Sequence, residues 1–406
     1  MKILVINGDC IQTNSSANLC HLSYIHGLLD AGHDVTLLSA DGRDYALDKS
    51  MVISPQVKCY TYYGVSLYEK LSLHKHKPAS SVHASSSSQE TAAHGGMHRF
   101  IRKVKNCVLS LYGIHGIYTT FVRKAQKFRS DVQYDYIISI STPVSSHLIA
   151  HNLLKAGHIK GKRWIQIWED PWYSDAYAVS GEEKVYREEA RLLSFAEKVC
   201  YVSPLTLRNQ QRLFPESADK MYWQPLPYYY KGDSPPKQEF PENVYGYFGD
   251  YAPAARNLEP FYQAAKEAGI SVNICGNPSN LFQSTERIRI YPRLTLDKLK
   301  PIEDNTNVLI FLCNRWGGQI PGKIYQYSAT SKTILFIMDG TEEEQKVLMD
   351  FFGKFNRYVF CQNTVADIAR AILKIETGNF GRIDDRPLEE FNPAITINNI
   401  LAEADI

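Results

Sequence analysis

Short apolar runs alternate with amphipathic helical segments along most of the chain, and a proline-rich segment divides this alternation into two series. Such runs are typical of buried parallel strands, because a strand covered on both faces needs no polar side. The first series starts at residues 3–6 and the second at residues 244–248. The pattern predicts an α/β protein with two Rossmann-like, doubly wound domains facing a cleft.

The predicted boundaries follow from this division. A chain of 406 residues is too long for one typical core. Residues 1–224 are the predicted first domain, 225–241 a linker and 242–386 the second domain, while 387–406 end the chain in a last helix. Residues 74–98 are rich in Ser, His and Ala, which predicts a mobile insertion in the first domain.

Composition excludes several classes of function. The net charge is +2, so the chain as a whole has no strong attraction for nucleic acid. The eight cysteines are scattered, which argues against a metal site or a disulfide framework and favours the reducing cytoplasm. The N-terminal apolar run is too short for a signal peptide, and no run is long enough to span a bilayer.

Residues 99–129 carry eight basic side chains and no acid, with apolar and aromatic residues between them. One interpretation is a peripheral contact with an anionic membrane surface, on the inner face of the plasma membrane. The other is a pair of core helices with a solvated basic face. The sequence leaves both open.

Ligands of open α/β sheets bind outside the carboxyl ends of the strands, so the loops after the strands are candidate sites. Asp170 lies just after the predicted strand at 165–168, with Glu169 between them. A carboxylate there could orient a hydroxyl group or act as a base, or it could simply cap the following turn. The other such loops are 8–16, 141–147, 249–256, 276–278 and 314–323.

Residues 320–337 predict a loop, a short helix, a turn and a buried strand. Pro321 suits the first position of the helix, and a helix N-terminus at a sheet edge attracts anions. Lys323 adds a full positive charge there. The alternative is an ordinary αβ unit with a solvated lysine.

The 320–337 stretch resembles the donor-binding segment of nucleotide-sugar glycosyltransferases with the GT-B fold, specifically the large retaining family 4. Members usually have Glu where this chain has Gln326, and many have a second acid where it has Gly318. Residues 168–172 resemble a segment of a subgroup acting on surface polysaccharides, with Glu169 replacing Arg. Residues 141–143 match the same subgroup's Ser-Pro-Pro turn.

This resemblance implies transfer of a hexosyl unit from a nucleotide sugar to a glycan or lipid-linked glycan, with retention of configuration. It implies no metal and no cofactor, the nucleotide sugar being a co-substrate. It also implies that the last helix crosses back to the first domain. The predicted donor-binding residues are Gly249, Arg256, Gly276, Gly318, Lys323 and Gln326. The predicted acceptor-binding residues are Asn14, Ser15, Ser16, Thr142 and Trp172, and the predicted catalytic residues are Asp170 and His147.

Three other functions stay open at this point. A sugar-nucleotide epimerase of the same fold would convert a nucleotide sugar without an acceptor. A catalytically silent binding protein is compatible with the missing acids at Gly318 and Gln326. An NAD-dependent oxidoreductase would need a G-x-G-x-x-G fingerprint, which is absent from the loop after the first strand.

Overall fold

The computed structural model describes residues 1–66, 68–70, 112–175, 183–229, 242–381 and 383–405. The predicted mobile insertion at 74–98 lies outside the described residues. So do most of the predicted linker and the first part of the basic segment, residues 99–111.

The chain forms two compact units, each built around its own sheet. The first unit comprises Met1–Val202, Thr206–Gln224 and Pro393–Ile406, and the second comprises Ser203–Leu205 and Pro225–Asn392. The chain therefore leaves the first unit, completes the second and returns.

The sheet of the first unit has seven parallel strands in the order β3-β2-β1-β4-β5-β6-β7. The strands are β1 Lys2–Asn7, β2 Asp34–Ala40, β3 Lys58–Tyr62, β4 Gln133–Ser141, β5 Lys160–Trp168, β6 Lys198–Tyr201 and β7 Met221–Trp223. The accompanying helices are α1 Ser16–Asp30, α2 Thr119–Ala125, α3 Ser145–Lys155, α4 Glu183–Phe195 and α5 Pro204–Leu213. The order of the strands reverses between β1 and β4, which are paired with each other near the centre of the sheet.

The sheet of the second unit has six parallel strands in the order β10-β9-β8-β11-β12-β13. The strands are β8 Val244–Phe248, β9 Ser271–Cys275, β10 Ile288–Tyr291, β11 Val308–Leu312, β12 Thr333–Met338 and β13 Tyr358–Gln362. The helices are α6 Glu259–Ala268, α7 Leu296–Asp304, α8 Lys323–Ser328, α9 Glu342–Phe352 and α10 Val365–Glu376. Here the order reverses between β8 and β11.

Local chemistry explains why these elements begin and end where they do. Every residue of β11, Val-Leu-Ile-Phe-Leu, is buried, as expected of a central parallel strand. Thr341 and Glu344 form a reciprocal capping box that starts α9. Gly269 ends α6 with φ +63°, a left-handed conformation that glycine adopts without steric cost.

The last helix, α11 Pro393–Asp405, belongs to the first unit and packs against α1. The two helices approach closely at Gly27, where an added Cβ would lie 2.3 Å from the carbonyl oxygen of Pro393. The hydroxyl of Tyr222 donates to the carbonyl of Ile400 at 3.0 Å, which ties the helix to the edge of the sheet. The predicted fold class, with two Rossmann-like sheets and a returning helix, is confirmed.

Two local predictions need correction. The helix of the 320–337 stretch does not begin at Pro321. It begins at Lys323 and is only six residues long. The N–H groups of Ile324 and Tyr325 already donate to the carbonyls of Pro321 and Gly322, at 3.3 and 3.2 Å, so this helix start is not a ready-made anion site.

The described part of the basic segment, residues 112–129, contributes apolar side chains to the core of the first unit. Phe121, Val122, Ala125 and Phe128 are all buried there. These side chains are therefore not available to a membrane surface. Within the described residues, no helix is long and apolar enough to cross a bilayer.

Candidate active site

Each sheet has one place where the strand order reverses, and in doubly wound folds ligands bind at the carboxyl ends of the strands at that point. In the first unit this is the pair β1 and β4, and in the second it is the pair β8 and β11. Six of the thirteen residues predicted to be functional lie in the loops after these four strands, namely Asn14, Ser15, Thr142, Gly249, Arg256 and Gly318.

The loops after β1 and β4 are in tight contact in the first unit. The N–H of Gly8 donates to the Ser146 hydroxyl at 2.8 Å. A Cβ on Gly8 would lie 2.4 Å from Ser145 Oγ, so only glycine fits this approach. From the loop after β5, Asp170 reaches Thr142, whose hydroxyl lies 3.5 Å from Asp170 Oδ2. The structure thus brings together the predicted catalytic Asp170 and the predicted acceptor residue Thr142.

The predicted acceptor residues at the start of α1 have clear local roles. The hydroxyl of Ser15 accepts a hydrogen bond from the N–H of Asn18 and caps the helix. The amide of Asn14 donates to Asp48 Oδ2 at 2.8 Å. Ser16 is exposed as the first helical residue.

The loop that carries Asp170 and Trp172 is held from below by a buried carboxylate that the sequence analysis did not single out. Glu189, on α4, is fully buried and accepts the backbone N–H groups of Trp172 at 3.4 Å and Tyr173 at 2.6 Å. Burial raises the pKa of Glu189 to about 7, although the two N–H bonds oppose this rise. The Trp172 ring packs on His115, with 5.0 Å between ring centroids.

His147 does not have the surroundings of a group that contacts substrate. Its side chain is fully buried, packs on Trp168 with 4.4 Å between ring centroids, and lies with Nδ1 2.7 Å from Ser139 Oγ. Burial, helped by the charge of nearby His21, lowers the pKa of His147 to about 3. We therefore withdraw the predicted catalytic role of His147 and assign it a place in the core beneath the loops.

A second buried pair lies beside it and was not predicted. His21 of α1 and Glu169 of the loop after β5 approach each other, with 3.4 Å between Nε2 and Oε2. The other ring nitrogen of His21 lies 2.8 Å from Asn7 Oδ1, at the end of β1. Burial raises the pKa of Glu169, while the charge of His21 opposes the rise. The signal for His21 is its place on the apolar side of α1, one turn before Ile25 and two turns before Leu28.

In the second unit the loops after β8 and β9 meet backbone to backbone. The N–H of Gly249 donates to the carbonyl of Cys275 at 3.0 Å. A Cβ on Gly276 would lie 1.9 Å from the carbonyl oxygen of Gly249, so Gly276 cannot be replaced without moving the loop. Both predicted glycines therefore lie at the carboxyl ends of adjacent strands.

Arg256 is fixed at the point where the strand order reverses. Its Nε donates to Asn314 Oδ1 at 2.7 Å, and its guanidinium also donates to the Asp250 carbonyl at 3.2 Å. Asn314 in turn donates to the carbonyl of Gln319 at 3.0 Å. One cation thus links the loop after β8 to the loop after β11.

Three predicted donor residues lie in the segment between β11 and β12. Lys323 pairs with Glu303 of α7, with 3.1 Å between Nζ and Oε1, so its charge is matched by a carboxylate. Gln326 accepts the backbone N–H of Tyr229 at 3.0 Å through its side-chain oxygen. Gly318 is buried with φ +74°, a conformation that favours glycine.

The Lys323–Glu303 pair lies close to the carboxyl end of β9. Cys275, the last residue of that strand, is influenced by both charges. Burial, helped by Glu303 and opposed by Lys323, raises the pKa of its thiol to about 12. Within the described ranges, no group of three or more His, Cys, Asp and Glu side chains lies together as a metal ion would require.

Comparison with known structures extends the likeness to the whole chain. The apo form of the lipopolysaccharide outer core galactosyltransferase WaaB has a TM-score of 0.54 at 11% identity, covering 99% of each chain. Sucrose-phosphate synthase from Thermosynechococcus elongatus has a TM-score of 0.53 at 13% identity, covering 99% of this chain and 96% of its own. A glycosyltransferase from Rickettsia africae has a TM-score of 0.51 at 10% identity, covering 99% and 95%.

These similarities show the fold: the chain has the GT-B arrangement of two parallel α/β sheets with flanking helices. No protein-family model matches the sequence, and no curated protein matches it.

Proposed function

We propose that this protein is a glycosyltransferase that moves a hexosyl unit from a nucleotide sugar to a hydroxyl group of a glycan or lipid-linked glycan. The proposed setting is the synthesis of a surface polysaccharide. The observation that carries this proposal is the fixed Arg256 at the point of strand reversal in the second unit, beside Gly249 and Gly276. The shared fold with known glycosyltransferases supports it.

The chemistry of the donor matches this site. A nucleotide sugar carries its hexose on a diphosphate, which leaves as an anion when the sugar is transferred. A guanidinium already held by Asn314 and the Asp250 carbonyl needs little rearrangement to stabilise that developing charge. Gly249 carries no side chain beside that guanidinium, since an added Cβ would lie 3.9 Å from an Arg256 nitrogen, and this leaves room for the diphosphate.

We propose that Asp170 and Thr142 of the first unit act on the acceptor. The new bond joins the acceptor oxygen to the anomeric carbon, and the bond from that carbon to the diphosphate oxygen breaks. Asp170 orients the acceptor hydroxyl and accepts its proton. Retention of configuration and independence from metal ions belong to the proposal and derive from the family resemblance.

Location at the inner face of the plasma membrane is also a proposal. Its support is the unmixed positive charge of residues 99–129. Phe121, Val122 and Phe128 are buried in the core, so these apolar side chains cannot insert into a membrane surface. The expected contact is therefore electrostatic and weakens with salt.

Calorimetry with UDP, GDP and their sugars tests the donor site. Thermal unfolding provides a second test, because a ligand at a hundred times its Kd adds about 2.7 kcal/mol to the free energy of unfolding. Arg256→Ala should abolish most of the binding. Arg287→Ala is the matched control, because Arg287 is an exposed arginine of the same unit that pairs with Glu242. If none of these nucleotides binds the wild-type protein, the proposed function is wrong.

One observation favours a second candidate, a GT-B-like protein that binds a nucleotide without transferring sugar. The side-chain oxygen of Gln326, at the position of the family's usual acid, is engaged by the Tyr229 N–H. Nucleotide binding with no transfer and no hydrolysis of any nucleotide sugar would favour this candidate over the enzyme.

A further inference from the structure

Trp316 is the one exposed tryptophan among the five in the chain. Half of its surface, 49%, is open to solvent, whereas Trp164 and Trp168 are buried and Trp172 and Trp223 are partly covered. Leaving so large an apolar ring in water is unfavourable, and an isolated exposed tryptophan on a loop is often a binding group. The question is what the ring is placed to bind.

The ring is held in place. Its Nε1 donates to the carbonyl of Ala254 at 2.9 Å. The preceding residue, Arg315, donates its backbone N–H to the carbonyl of Ala255 at 2.8 Å and its guanidinium to the carbonyl of Pro253 at 3.3 Å. Three hydrogen bonds therefore fasten the loop after β11 to the loop after β8, and they fix the orientation of the indole.

This fixed ring lies beside the proposed phosphate-binding arginine. Arg256 directly follows the three residues whose carbonyls accept from Trp316 and Arg315. Its side chain is hydrogen-bonded to Asn314, two residues before the tryptophan. On the other side, Gly317 and Gly318 have φ of +97° and +74° and carry no side chain. The site thus combines an aromatic face, a cation and a stretch of backbone without side chains.

That combination matches a hexose better than the other parts of a nucleotide sugar. A pyranose ring has an apolar face of C–H groups that packs on an aromatic ring and a rim of hydroxyls that hydrogen-bond to polar neighbours. The hexose is attached directly to the diphosphate, whereas the ribose separates the nucleobase from it. A ring next to the phosphate-binding group is therefore placed for the sugar.

We infer that Trp316 is a platform for the hexosyl ring of the donor and helps to determine which sugar is accepted. This inference rests on the proposed function, because it takes the loops after β8 and β11 as the donor site. It adds a residue and a subsite for the transferred sugar.

The test compares the binding of UDP with that of UDP-glucose and UDP-galactose, and GDP with GDP-mannose, by calorimetry. Trp316→Ala should weaken the binding of the preferred nucleotide sugar by roughly 3- to 10-fold, the value of an aromatic contact. The affinity for the parent nucleoside diphosphate should not change. Trp316→Phe should retain most of the wild-type affinity for the nucleotide sugar, because phenylalanine keeps an aromatic face.

Fluorescence gives a second readout that does not depend on affinity. Binding of the nucleotide sugar should change the tryptophan emission of the wild-type protein, and this change should be reduced in Trp316→Phe. Phe195→Ala is the matched control, because Phe195 is equally exposed, at 49%, at the end of α4 in the first unit. It should alter neither measurement.

The outcomes separate this inference from the proposed function. If Trp316→Ala weakens the binding of UDP and of the UDP-sugar equally, the ring stacks on the nucleobase and the inference is overturned. Unchanged nucleotide-sugar binding in Trp316→Ala would overturn it too, while the proposed function stands. If the wild-type protein binds no nucleotide, both are wrong.

Discussion

The Nε2 atom of His21 lies 3.4 Å from Oε2 of Glu169, and both side chains are buried. Because His21 also contacts Asn7, this pair joins α1, the end of β1 and the loop after β5. Glu169 immediately precedes Asp170. The pair therefore holds in place the segment that carries the proposed catalytic carboxylate.

Removing the histidine should cost more stability than neutralising the acid. His21→Ala leaves the Glu169 carboxylate buried without its partner, which destabilises the first unit by roughly 3 kcal/mol. Glu169→Gln keeps the volume and removes the charge, so its effect should be smaller. Urea unfolding measures both. His26→Ala, on the same helix but less buried, serves as the control, and equal losses in all three variants would contradict the argument.

Glu189 should make the folded protein less stable as the pH rises. Burial raises the pKa of Glu189 from 4.5 to about 7, so between these values the folded protein keeps a proton that the unfolded chain has lost. The contribution of Glu189 to the free energy of unfolding is therefore fully present below pH 4.5. It is lost as the pH rises through 7, a change of roughly 3 kcal/mol. Glu189→Gln should remove this slope, measured by chemical denaturation between pH 5 and 8.

The neighbouring Glu188 provides the control for that measurement. Burial favours a higher pKa for Glu188, but hydrogen bonds from Arg191 and His115 outweigh burial and lower the pKa to about 2. Its ionisation is therefore complete across the same range of pH, and Glu188→Gln should leave the slope unchanged. Because the lowered pKa of His147 gives an opposite slope in both proteins up to about pH 6.5, the decisive quantity is the difference in stability between the wild type and Glu189→Gln. If that difference does not change between pH 5 and 8, the proposed protonation of Glu189 is wrong.

Asp170→Asn should lower turnover on the order of 10²- to 10³-fold, as expected for loss of a general base. Donor affinity should stay close to wild type, because Asp170 lies in the first unit and acts on the acceptor in our proposal. Steady-state kinetics and donor calorimetry measure the two effects separately. Asparagine also caps turns well, so near-normal activity would assign Asp170 a capping role and remove it from the mechanism.

Lys323 and Glu303 should change nucleotide binding in opposite directions. Lys323→Ala removes a cation and should weaken nucleoside diphosphate binding by roughly 1.5–3 kcal/mol. Glu303→Gln should strengthen binding, because the carboxylate 3.1 Å from Nζ then no longer competes with the diphosphate for Lys323. Calorimetry with UDP and GDP decides the matter. If both variants bind as the wild type does, Lys323 is not part of the donor site.

Gly27→Ala should destabilise the first unit by about 1–3 kcal/mol, since the added methyl group would meet the Pro393 carbonyl at 2.3 Å. The comparison is Gly353→Ala, where the nearest atom, the sulfur of Met349, is 3.5 Å away and φ is −62°. Thermal unfolding should show a lower Tm for the first variant only. An unchanged Tm for Gly27→Ala would mean that α11 shifts away at little cost.

The central part of each sheet could be predicted from sequence because its strands are buried on both faces. β1, β11 and β12 each contain a continuous apolar run, and the runs of β5 and β8 are interrupted only by Gln166 and Gly246. Strands β3, β7 and β10 could not be predicted in this way, and all three lie at sheet edges, where one side lacks a neighbour. Their residues are more exposed, so the apolar signal is weak.

Helix α7 was not predicted for a different reason. It contains Pro301, which normally ends a helix, and packing of Leu299 outweighs that local preference here. At the candidate site, position at a strand end predicted which loops meet, as Thr142 and Asp170 show. It could not predict side-chain partners such as Glu303 or Tyr229, because these come from segments distant in the sequence.

The second unit is inserted into the first, since the chain returns from it to place α11 against α1. During synthesis, α1 therefore emerges from the ribosome long before the thirteen residues that will cover it. The second unit can complete its core from a continuous stretch of chain while the first still exposes an apolar helix face. The unit whose synthesis begins first can therefore complete its core only after the last helix of the chain has been made.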